Sequence, residues 1–190
     1  MENKKLEDMT LEELWRLFPV SLVLPRAEWD DWYRDEAKAV LALIPHAAVK
    51  RLSHIGSTAV PGIRAKNIVD MLLEMRHERD LRRVKEMLVS GCWVCMKEDA
   101  QRVSLNKGYT ETGFAERVFH LHVRLAGDNT ELYFRDYLRE HPDAAAAYER
   151  LKLTLWKRYE HDRDGYTEAK GEFVRQCTAI ARELYRGRYD

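Results

Sequence analysis

The stretch Asn67–Met75 constrains this chain more than any other segment. Val69, Met71, Leu73 and Met75 fall on one face of a strand, and Ile68, Asp70, Leu72 and Glu74 fall on the other. Two carboxylates therefore point the same way from an otherwise apolar strand. That pattern suits a buried position in an α/β-type domain, and it places the expected working site along His54–Glu74.

The flanking sequence supplies the other layers. Thr10 and Glu13 have capping-box spacing ahead of Leu11, Leu14, Leu17 and Phe18, which predicts a short amphipathic helix stopped by Pro19. Val20–Leu24 reads as a short strand. Ala27–Ile44 reads as a helix with Trp29, Trp32, Tyr33, Val40, Leu41 and Ile44 on one face, closed by Pro45. Val49–Ile55 is strand-like, and Gly56, Pro61 and Gly62 mark the loop after it. Asp80–Ser90 is expected to be helical, stopped by Gly91. Trp93–Met96, Arg102–Lys107 and Phe114–Leu125 are expected strands, the last two joined through Gly108–Gly113. Beyond Asp128 the pattern turns helical over Leu132–Glu140, Asp143–Arg158 and Tyr166–Tyr185, with Pro142 and Gly165 as separators. The outline is an α+β chain: a helical extension over 1–18, a sheet-containing core over about 19–126 and a helical cap over about 127–190.

At 190 residues the chain fits one domain, and 32 basic residues balance 32 acidic ones. A zero net charge argues against general nucleic-acid binding, although local patches can still hold phosphate. Cys92, Cys95 and Cys177 are odd in number, which disfavours a disulfide framework and fits reduced thiols in the cytoplasm. The Cys92/Cys95 pair lacks the second pair that a zinc site needs. No run approaches the roughly 20 apolar residues of a membrane span, and the N-terminus has no apolar leader core.

His54-Ile55-Gly56-Ser57-Thr58 lies where a strand ends in a turn of small residues. Glycine allows close backbone approach to phosphate, and Ser57 and Thr58 add donors. Asp70 on the following strand is placed to hold a divalent ion bridging phosphate oxygens, while Arg64 and Lys66 are placed to neutralise a leaving pyrophosphate. The alternative is a plain Gly-Ser turn with Asp70 paired to a nearby arginine. His120 and His122 alternate with Leu121 and Val123, so both imidazoles share a face as metal ligands or phosphate-binding groups; the alternative is a core histidine and a solvent contact. Arg135, Lys152 and Lys170 are read first as surface charges with helical neighbours, convergence on an anion being the alternative. The tryptophans are read as packing anchors.

The run His54-Ile-Gly-Ser-Thr-Ala-Val-Pro-Gly62, followed by Lys66 and Asp70, resembles the signature of the GrpB family. The resemblance continues through Val23-Leu24-Pro25, Trp29, Phe119–Val123, Phe134–Leu138, His141-Pro142, Tyr148, Lys152, Tyr166 and Lys170. It implies a fold similar to the nucleotidyltransferase superfamily, a mixed β-sheet flanked by helices. Some members of the family are fused to the enzyme that phosphorylates dephospho-coenzyme A. By this resemblance Gly56 and Ser57 would seat a triphosphate. Asp70 would hold a divalent metal ion (Mg, Mn or Zn), Lys66 would offset developing charge, and His122 would serve as metal ligand or general base. Leu72 stands where that superfamily carries its second carboxylate. Glu74 lies roughly 6–7 Å further along the same face. His120 and His122 occupy the place of a third carboxylate. The expectations are a protein that binds a nucleotide or phosphate-bearing coenzyme with possible nucleotidyl transfer, or a non-catalytic binding module. A more distant likeness links the histidine run to the strand of histidine-triad nucleotide hydrolases, but Arg124 replaces the third histidine.

Overall fold

The computed structural model describes residues 4–190, so the first three residues of the expected N-terminal extension lie outside it. Helix α1 spans Leu11–Leu17 and begins on the expected capping box. Thr10 accepts from the Glu13 amide, and the Glu13 carboxylate accepts from the Thr10 amide. Helix α2 spans Glu28–Leu43 and buries Trp29, Trp32 and Val40. Strand β1 (Val49–Ile55) leads through the Gly56 turn to β2 (Val69–Met75). Helix α3 (Leu81–Ser90) ends on Gly91, and three strands follow: β3 (Val94–Glu98), β4 (Arg102–Thr110) and β5 (Gly113–Leu125). Four helices complete the chain: α4 (Thr130–Glu140), α5 (Pro142–Arg158), α6 (Arg163–Ala169) and α7 (Gly171–Leu184).

The five strands form one mixed sheet in the order β1-β2-β5-β4-β3. Only β2 and β5 run parallel; the other neighbours are antiparallel. A parallel pair needs a long crossover, and α3, β3 and β4 together supply it. Strand β2 is flanked by β1 and β5 and covered on both faces, which explains its near-continuous apolar sequence.

Val69, Met71, Leu73 and Met75 face the main core. There they meet Leu105, Leu121 and Val123 of the sheet, Trp29, Trp32 and Val40 of α2, and Leu81, Val84 and Leu88 of α3. Full burial of each such side chain contributes about 1.5–3 kcal/mol. On the opposite face, Leu72 packs with Ile55 and with Leu132 of α4. The loop after β1 docks through Val60 and Ile63 onto α4 and α5. The rest of that face is left open as a cleft.

Three expectations change. Val20–Leu24 is not a strand; a single bridge joins Val23 to Ala65, and Pro25 ends the extended run. Strand β4 continues past Lys107 to Thr110 through a bulge at Gly108. There φ is +90°, and a side chain would strike the Arg117 carbonyl. The helix expected over Tyr166–Tyr185 is two helices. Asp162 caps α6 by accepting from the Gly165 amide (2.8 Å), so Gly165 lies inside a helix, and the break falls at Lys170.

Candidate functional site

Strand register assembles the site. Asp70 of β2 pairs with His120 of β5, which pairs with Asn106 of β4; one step along, Leu72 pairs with His122. The face opposite the core therefore presents Asp70, His120, His122 and Asn106 to a cleft of about 1370 Å³.

The turn after β1 closes one end. Gly56 has φ +72° and ψ −171°, a conformation essentially reserved for glycine, and a Cβ there would collide with the Asp70 carboxylate. Ser57–Ala59 form one 3₁₀ turn, with Thr58 tied to His54 Nε2 at 3.0 Å. His54 lies outside the cleft, stacked on Tyr33 at 4.9 Å. Burial pushes its imidazole down to about 4, so it braces the turn as a neutral ring.

A hydrogen-bonded chain crosses the floor. Arg163 donates to the Tyr109 hydroxyl (2.9 Å), Tyr109 meets His120 Nε2 (2.8 Å), and His120 Nδ1 meets Asp70 Oδ1 (3.0 Å). Because the Asp70 carboxylate can only accept, His120 Nδ1 carries the hydrogen given to it. Burial alone would raise the Asp70 carboxyl, but His120, His122 and Lys66 hold it down at about 2. His122 differs from its neighbour. Its Nδ1 is buried without a hydrogen-bond partner among the described residues, and burial pushes its imidazole below the ordinary histidine value.

The cationic wall was the part least visible in the sequence. Lys66, Lys152 and Lys170 converge on the cleft with Arg163. Lys170 Nζ lies 4.3 Å from the Tyr166 ring centre, Lys66 Nζ lies 5.8 Å from the same ring, and Lys152 Nζ lies 4.9 Å from that of Tyr148. Lys152 is only 2% exposed and donates to the Arg64 carbonyl, so reading it as a surface charge was wrong. Among the described residues none of the three lysines has a salt bridge, and the Lys66 and Lys170 ammonium groups have no hydrogen bond, their backbones alone being paired. Burial, reinforced by neighbouring cations for Lys66 and Lys152, depresses the ammoniums to about 7 for Lys66 and Lys152 and about 8 for Lys170. The Tyr166 hydroxyl is buried beside them without a partner, and burial keeps it protonated. Tyr166 and Lys170 reach the cleft because the chain breaks between α6 and α7.

Other expected site residues stay outside. Arg64 turns to Glu149, its amide donating at 2.7 Å, and does not line the cleft. Glu74 is fully buried, paired to Arg51 at 2.5 Å, and accepts from Asn129 (3.0 Å) and the Gly127 amide (3.3 Å). It is a structural carboxylate with its oxygens already engaged, not a metal ligand beside Asp70. Arg135 donates to the His54 carbonyl and to Tyr189, so it braces α4 rather than the cleft.

Among the described residues no group of three or more His, Cys, Asp or Glu side chains is arranged to hold a metal ion. His120 has both ring nitrogens engaged, which leaves Asp70 and His122 as donors on the cleft floor. The residues do not fit a resident metal.

The family model described as GrpB protein matches residues 19–179. The chain belongs to the GrpB family. It is 28% identical to UPF0157 protein YqkA of Bacillus subtilis over 98% of this chain, and it spans 55% of that relative's length. It is 27% identical to a protein named dephospho-CoA kinase from Mycolicibacterium paratuberculosis, over 84% of this chain and 45% of that one. Among solved structures, conserved protein GrpB from Enterococcus faecalis matches with a TM-score of 0.76 at 24% identity, covering 87% of this chain and 99% of that one. The fold is thus a GrpB fold, with the mixed sheet and flanking helices expected from the sequence. No helix among the described residues is long and apolar enough to cross a membrane.

Proposed function

We propose that the cleft binds the phosphates of a nucleotide or another phosphate-bearing small molecule, with Lys66, Lys152, Lys170 and Arg163 as counter-charge. The observation that carries this reading is the gathering of three lysines on one cleft wall, Lys152 buried and Lys66 and Lys170 half-buried, without a salt bridge among the described residues. Burying ammonium groups is costly unless an opposite charge compensates. Asp70 is the carboxylate on the cleft floor, and it is already held by His120. A polyphosphate supplies the missing negative charge, and the Gly56–Thr58 turn offers hydroxyl groups to its oxygens. A divalent ion would enter with that ligand and meet Asp70. The zero net charge and the recessed lysines favour a small molecule over a nucleic acid.

A second reading, nucleotidyl transfer, is favoured by His122. Its neutral imidazole stands beside Asp70 with an unpartnered nitrogen. In that reaction an acceptor hydroxyl attacks the α-phosphorus, its proton passes to His122, and pyrophosphate departs into the lysine wall. Leu72 in place of a second carboxylate, together with the engagement of Glu74 by Arg51, favours slow transfer or binding alone.

Calorimetric titration with ATP, with and without magnesium, tests the binding. Lys66→Met should weaken it by on the order of 1–3 kcal/mol, the loss of one charged hydrogen-bond donor. Asp70→Asn should remove the magnesium-dependent part. Wild-type affinity in the Lys66→Met protein would overturn the proposal.

A further inference from the structure

The cleft is larger than a phosphate chain requires, and its outer half has a different chemistry. At about 1370 Å³ it exceeds the roughly 300–1,000 Å³ usual for one small-molecule site. Its lining also carries a run of apolar side chains, Leu11, Leu14 and Trp15 of α1, Leu22, and Val94 and Met96 of β3, with the charged Lys5, Glu7 and Glu111 among them. Helix α1 buries none of its residues, and Leu11, Val94 and Met96 are each more than half exposed. An amphipathic helix ordinarily turns its apolar stripe to a core. Here Leu11, Leu14 and Trp15 turn it to the cleft.

Tyr109 stands at the junction. On its polar side it joins His120 and Arg163; on its apolar side its ring packs on Phe18 (4.8 Å) and Phe114 (5.2 Å). Charged and apolar halves thus belong to one continuous cavity. Helix α1, which supplies part of this apolar wall, precedes residues 19–179, the stretch that the family model matches, while Leu22, Val94 and Met96 lie within it.

We infer that the phosphate-bearing ligand of this chain carries an elongated apolar body, which lies along α1 and β3 while its phosphates occupy the lysine end. This rests on the phosphate-binding reading of the inner cleft and adds the class of ligand. The outer wall is mostly aliphatic, which favours an alkyl chain over a nucleobase edge that must be read by hydrogen bonds.

Two probes with the same head decide the matter: inorganic pyrophosphate and geranyl diphosphate, titrated calorimetrically into the full chain. Geranyl diphosphate should bind at least about tenfold more tightly, as expected when apolar surface leaves water. In Leu14→Ser and, independently, Met96→Ser, the ratio of the two affinities should fall towards one. Neither side chain belongs to the buried core, so both variants are expected to fold. Equal affinities in the wild type, or a ratio unchanged in both variants, overturn the apolar subsite while leaving phosphate binding intact. Failure of both probes to bind overturns the two readings together.

Discussion

Gly56 shows how one residue can fix the geometry of a site. Its backbone adopts a conformation that side-chain-bearing residues avoid, and its missing Cβ is what lets the Asp70 carboxylate approach the turn. Gly56→Ala therefore meets both backbone strain and a steric clash. The expected loss is on the order of 1–3 kcal/mol of stability, read by urea denaturation, together with impaired ligand binding. An alanine variant with wild-type stability and affinity would show that the turn tolerates what its geometry forbids. Glu74 makes the complementary case. It shares a strand face with Asp70, yet it satisfies Arg51, Asn129 and Gly127 in the interior. Glu74→Ala should destabilise by about 3 kcal/mol, the lower end for a broken buried pair because Arg51 retains some solvent. Denaturant unfolding measures this directly.

At the scale of elements, the sequence shows whatever its periodicity and punctuation state locally. Val49–Ile55 is found with the bounds read from its pattern, α1 starts on its capping box, and α3 stops at Gly91. Thr10→Ala should remove one cap, cost about 1 kcal/mol locally, and speed hydrogen exchange over residues 11–17. Unchanged exchange there would mean that the cleft wall, not the cap, holds α1. Elements defined by distant partners were less legible. Val20–Leu24 has strand composition but finds only Ala65 as a bridge partner. The break at Lys170 interrupts an amphipathic pattern that reads continuously from Tyr166. Lys66, Asp70 and His122 were visible because a turn and strand alternation place them locally. Lys152 and Lys170 resemble surface lysines until α5 and the junction of α6 with α7 fold against the Gly56 turn.

For the whole molecule, the lysine cluster ties protonation, stability and ligand binding together. Burial holds the ammoniums of the folded protein down at about 7 for Lys66 and Lys152 and about 8 for Lys170, against an ordinary value of 10.5. Between those limits the unfolded chain binds more protons than the folded one, so stability of the ligand-free protein should climb as pH rises through that interval. Below pH 7 the three amines are charged in both states, and the full penalty of burying them together remains. A bound polyphosphate reverses the preference by favouring the charged lysines, so binding at neutral pH or above should take up protons. Its affinity should fall as pH rises from about 7 to 9.5, while the ligand's own phosphates stay ionised. Melting temperatures measured across that range, with and without saturating inorganic triphosphate, test both slopes in one experiment. The free protein's melting temperature should rise with pH from these lysines, and the ligand-induced gain should shrink. A ligand-induced gain constant from pH 7 to 9.5 would mean that the phosphates do not rest on Lys66, Lys152 and Lys170.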